Sequence, residues 1–144
     1  MGSFGFFADT NLTQPLDRTN SIQLTFNVAG GGEYKDIQVY FGSPDTTIKA
    51  VPAPPDTYIT VTIIDRDPSA HNLDATNGPW FVIADTQANL SSAPKNQPYS
   101  LGTQVLGGVA NAKSFWVRIY EPEQNPALYT DFVLTTNNIL VQNI

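Results

Sequence analysis

At 144 residues, with 41% apolar and only 14% charged side chains, the chain has the length of one domain and enough apolar material to bury roughly two-thirds of its unfolded surface. Thirteen acids against seven scattered bases give a net charge of −6, so the phosphate neutralisation that drives nucleic-acid binding is excluded. With no cysteine and one histidine, a disulfide framework and a thiolate metal site are excluded as well.

The eleven prolines and ten glycines fall between short apolar runs, the composition of strands joined by turns. Residues 4–8 predict a short first strand or, read otherwise, an N-terminal arm (1–8) carrying Phe4, Phe6 and Phe7. Residues 21–28 alternate, with Ile22, Leu24, Phe26 and Val28 on one face. Gly30, Gly31 and Gly32 then read as a hairpin loop into a strand at 36–42, with Ile37, Val39 and Phe41 inward and Gln38 and Tyr40 outward.

A weaker strand is expected at 46–51, bounded by Pro44 and the cluster Pro52, Pro54 and Pro55. Residues 57–64 are rich in β-branched side chains and predict a central strand buried on both faces. Residues 79–84 are apolar throughout, and shorter strands follow near 98–101 and 103–106. Then comes the clearest alternation in the chain: Phe115, Val117 and Ile119 fall on one face, Trp116, Arg118 and Tyr120 on the other. Two prolines within 121–127 break the run, and a strand at 129–136 follows, which predicts an antiparallel hairpin. The count and spacing predict a single all-β domain over 1–144, an antiparallel β-sandwich of immunoglobulin-like type, with a jelly roll as the alternative.

Oxygen ligands crowd at one place, the loop 65–78. Asp65, Asp67, Asp74 and Asn77 are the candidate ligands for Ca²⁺ there, but glycine and glutamate are missing from the positions an EF-hand loop needs, and a solvated turn is the preferred reading. His71 with Ser69 and Asp74 invites a hydrolase reading, yet no Gly-x-Ser-x-Gly elbow exists and triad partners come from distant parts of a fold. Glu121 and Glu123 sit in a proline-rich turn with nothing to desolvate them, as a glycosidase acid would require. No catalytic residue and no cofactor is expected. The outward aromatics Trp116 and Tyr120, together with Phe4, Phe6 and Phe7 of the arm, are the candidate partner-binding residues.

The segments Phe4-Gly-Phe-Phe-Ala-Asp-Thr-Asn-Leu-Thr-Gln-Pro-Leu16, Val39-Tyr-Phe-Gly-Ser-Pro44, Leu101 to Ala112 and Phe115 to Thr136 resemble small virion proteins of tailed bacteriophages. The resemblance runs from near residue 4 to near residue 136. It implies a non-enzymatic structural accessory, a capsid decoration (cement) protein or a neck or tail component. Such a protein binds the major capsid protein or another virion protein in many copies per particle. With no signal-peptide pattern at its start, the chain is expected to be made in the host cytoplasm and to end in the virion, with neither membrane nor nucleic acid as partner. The competing reading is a carbohydrate- or protein-binding β-sandwich module of a bacterial surface or secreted protein.

Overall fold

The computed structural model describes residues 3–16, 24–26, 33–65, 76, 79–121, 127–129 and 132–144. They form twelve strands: β1 (Gly5–Phe7), β2 (Leu24–Phe26), β3 (Glu33–Gly42), β4 (Ile48–Pro52), β5 (Ile59–Asp65), β6 (Trp80–Ala84), β7 (Tyr99–Gly102), β8 (Val105–Leu106), β9 (Lys113–Glu121), β10 (Ala127–Tyr129), β11 (Phe132–Thr136) and β12 (Ile139–Asn143). Two short 3₁₀ turns, Ala88–Ser92 and Val109–Asn111, are the only helical segments among the described residues. Every strand pairing is antiparallel, and the fold is all-β and sandwich-like.

One layer is the four-stranded sheet β1-β3-β9-β6. Its longest seam joins β3 to β9 from Glu33 opposite Glu121 to Phe41 opposite Lys113, and this register sets every side chain of both strands on its face. The second layer consists of two three-stranded sheets, β11-β5-β7 and β12-β4-β8. Their strand orders correspond, because β4 leads into β5, β7 into β8 and β11 into β12. The two sheets are therefore the halves of one layer, broken at a shared corner.

Asn137 pins that corner. Its side-chain oxygen accepts from the Thr60 N–H (3.0 Å), its amide group donates to the Tyr58 carbonyl (2.8 Å), and its backbone N–H donates to the Thr60 carbonyl. At the same corner Gly102 takes φ +99°, a conformation that glycine reaches without steric cost, and the β5–β7 register shifts between Ile59 and Thr60. The core lies between the layers. Phe6, Phe41, Phe81, Phe115, Val117 and Ile119 from the first meet Ile59, Val61, Ile63, Leu101, Phe132 and Leu134 from the second.

The alternations at 36–42 and 115–120 predict the inward faces correctly: Val39, Phe41, Phe115, Val117 and Ile119 are all buried. The predicted pairings are different in the structure. Residues 115–120 do not form a hairpin with 129–136, since β9 sits between β3 and β6 while β11 pairs with β5. Nor does β2 pair with β3; its partner is β10. Local alternation fixes which face is apolar, but it carries no information on which strand becomes the neighbour.

The strand at 57–64 is central, as expected, but buried on one face only. Ile59, Val61 and Ile63 point inward, whereas Tyr58 and Ile64 are about half exposed. The strand at 79–84 carries the two-sided burial instead, with Phe81, Val82, Ile83 and Ala84 all inaccessible.

Candidate functional site

The outward face of the four-stranded sheet carries the aromatics picked out by their alternation. The register places Tyr34, Tyr120 and Trp80 in one row across β3, β9 and β6. The next row holds Asp36, Arg118 and Val82, and the third holds Gln38, Trp116 and Ala84. Trp80 and Tyr120 stack with ring centroids 5.0 Å apart and an interplanar angle of 14°. Lys95 reaches Trp80 with its Nζ 4.6 Å from the ring centroid, and the Arg118 guanidinium lies 4.2 Å over Tyr34.

Trp80 is thus engaged by both Tyr120 and Lys95. A stacked sugar would have to compete with these partners for the Trp80 ring. Trp116 is also engaged: it packs on a small satellite core of Val82, Ala84 and Leu90, where the 3₁₀ turn Ala88–Ser92 covers the sheet. Trp116 and Tyr120 are both half-buried, while Tyr34 (54% exposed) is the open member of the row.

The three N-terminal phenylalanines belong to the domain. Residues 5–7 are β1, paired with Tyr40, Phe41 and Gly42, and not a free arm. Phe6 is buried against Phe41 and Phe115 at centroid distances of 5.2 and 6.3 Å, and Phe4 stacks on Phe41. Residues 8–16 fold back beside β1, with the Ala8 N–H donating to the Gln14 carbonyl and the Leu16 N–H to the Phe6 carbonyl. Asp9 holds this return, accepting from the Thr13 hydroxyl and from the N–H groups of Thr13 and Gln14, and these bonds keep its carboxyl below its ordinary pKa. Phe6 is thereby closed to a partner, with Phe4 and Phe7 half-buried beside it.

Exposed apolar surface gathers on the β12-β4-β8 half of the second layer. Ala50 and Val105 are buried on its inward face, so Leu106, Val51 and Leu140 share the outward one. Leu106, Leu140, Val141 and Ile144 are 36, 44, 38 and 69% exposed, and Val109 lies just past β8. Beside them a cleft of about 360 Å³ is lined by Gly102, Thr103, Gln104, Leu106, Asn111 and Lys113. Among the described residues its lining holds no carboxylate and no imidazole. This surface was missed in reading the sequence, although Ile139-Leu-Val141 directly after Asn137-Asn138 is a legible strand signal.

Of the weighed metal ligands, Asp67, Asp74 and Asn77 lie outside the described residues, as do Ser69, His71 and Glu123. Asp65 closes β5 opposite Phe132. Among the described residues no three His, Cys, Asp or Glu side chains converge as metal ligands would. No protein-family model matches the chain, and no curated protein matches it either.

Proposed function

We propose that the chain is a non-enzymatic structural protein of a tailed-bacteriophage virion. In this reading it is an immunoglobulin-like decoration or other head or tail accessory that binds the major capsid protein, or another virion protein, in many copies. The observation that carries the reading is the set of exposed apolar side chains on one side of the second layer: Leu106, Val109 and Leu140 beside β8 and β12. Single exposed apolar residues are ordinary on any protein, whereas a contiguous group marks a contact surface. The resemblance of residues 4–136 supplies the virion setting. Against the glycan-binding alternative stands the Trp80–Tyr120 stack, whose rings are engaged with each other and with Lys95.

The test is co-sedimentation of the purified chain with phage particles that lack it. Wild type is expected to saturate a fixed number of sites per particle. The variants L106E and L140E are expected to lose binding while melting within a degree or two of wild type, since both side chains are already exposed. Binding that survives both substitutions, or a wild-type chain that does not bind, overturns the reading.

A further inference from the structure

A sheet edge is a row of unpaired N–H and C=O groups, and proteins cover or interrupt such rows because any strand can add to them. Two edges of this fold are visibly managed. The edge of β1 is covered by residues 14–16. At β6, Asn96 copies a missing strand: its side-chain oxygen accepts from the Phe81 N–H (3.0 Å) and its own N–H donates to the Phe81 carbonyl (2.8 Å).

The edge of β12 carries no such device. Ile139 packs on the core, but Leu140, Val141, Gln142 and Asn143 are all exposed, with no proline, no charged side chain and no covering loop among the described residues. The backbone groups facing that edge follow from the register. The Ala53 N–H donates to the Asn138 carbonyl and the Ile144 N–H to the Thr47 carbonyl, so the even-numbered residues exchange bonds with β4. In an antiparallel ladder bonded and non-bonded pairs alternate. Ile139, Val141 and Asn143 therefore turn their N–H and C=O groups to the open side.

The geometry points to a second copy of this chain as the partner of β12, its own β12 adding antiparallel across a two-fold axis with Val141 opposite Val141 of the copy. In that register each of Ile139, Val141 and Asn143 exchanges both of its free backbone bonds with the copy, and the β12-β4-β8 sheet continues into its equivalent. One observation favours an added strand over a surface packed on one face. Leu140 lies outward and Val141 inward, yet both are exposed, and only a neighbour in the plane of the sheet covers both sides of β12 at once. A copy also fits by charge. The chain carries −6, but residues 137–144 carry no charged side chain, so this is a surface where two copies meet without like charges opposed. An antiparallel strand pair is self-complementary, as a two-fold interface requires.

The inference deepens the reading of this side of the domain as a contact surface and assigns the edge, rather than the outward face, to the second copy. Sedimentation of the full chain from micromolar to millimolar concentration tests it. The wild-type mass is expected to rise from 15.7 kDa towards twice that value. V141P removes only an N–H that points away from β4, and V141K sets two ammonium groups opposite each other; both are expected to stay monomeric with an unchanged far-UV spectrum. Should V141P fail to fold, V141K decides alone. Because the chain has no cysteine, V141C is expected to give a reducible dimer, the opposed Cα atoms standing about 5.5 Å apart. A wild type that remains monomeric, or a V141K variant that associates like wild type, overturns the inference, and a V141C dimer without cross-link overturns the register. Particle binding without self-association removes this inference alone; self-association without particle binding removes the virion reading and leaves this one standing.

Discussion

Arg118 holds Asp36 with two guanidinium nitrogens, Nε to Oδ1 at 2.8 Å and Nη2 to Oδ2 at 3.0 Å, across the β3–β9 seam. The Gln87 amide adds a third donor at 3.2 Å, tying the start of the Ala88–Ser92 turn to the same carboxylate. The pair is mostly screened from solvent, with side-chain exposures of 16% for Arg118 and 11% for Asp36.

The bonds from Arg118 lower the Asp36 pKa from its ordinary 3.8, partial burial opposes the shift, and Gln87 reinforces it. A carboxylate with a depressed folded pKa stabilises the fold above its unfolded pKa, and that contribution is lost as the pH falls through the folded value. D36N places an amide donor against a guanidinium donor and is expected to cost about 1–2 kcal/mol at neutral pH. The gap between wild type and D36N, followed by urea unfolding, should close below about pH 4. A gap that stays constant into acid would show that the ion pair is not its source. Asp9, held low first by the Thr13 hydroxyl, titrates in the same window and adds to the acid sensitivity of both proteins.

Phe6 tests the standing of β1. Its ring contacts Phe41 and Phe115 in the core, so F6A should destabilise by roughly 3–5 kcal/mol. Removing residues 1–8 should lower the melting temperature by at least several degrees. An unchanged melting temperature after that deletion would return the segment to the status of a docking arm.

Gly107 and Gly102 separate two uses of glycine. An added Cβ at Gly107 would overlap the Asp45 carbonyl oxygen and lie 2.7 Å from that of Ile48, both backbone atoms. At Gly102 nothing lies within 4 Å, and only φ of +99° resists substitution. G107A is expected to cost roughly 2–3 kcal/mol and G102A about 1 kcal/mol, read from thermal or urea melts. Equal losses would contradict the close approach at Gly107.

Asn96 combines a positive φ of 58° with the bond that caps Phe81. N96G keeps the backbone conformation and loses the acceptor, whereas N96A loses both. The expected losses are about 1 kcal/mol for N96G and about 2 kcal/mol for N96A. Faster amide exchange at Phe81 in both variants would locate the effect at the β6 edge.

The inward faces of the strands were determined by the sequence alone. Phe115, Val117 and Ile119, or Val39 and Phe41, are sorted by a period of two that any pleated strand imposes, whatever it pairs with. All-β character, with no long helix among the described residues, was legible for the same local reason. Tertiary structure decided what lies beside what. Residues 115–120 read as half of a hairpin, yet β9 lies between β3 and β6, and a period of two says nothing about which strands become neighbours. Phe4, Phe6 and Phe7 read equally well as an arm or a strand, because it is Phe41 and Phe115, distant in sequence, that receive the rings of Phe4 and Phe6. Ile139-Leu-Val141 is recognisable as a strand, yet its open edge is a property of its neighbours: β4 lies on one side of β12, and no described strand lies on the other.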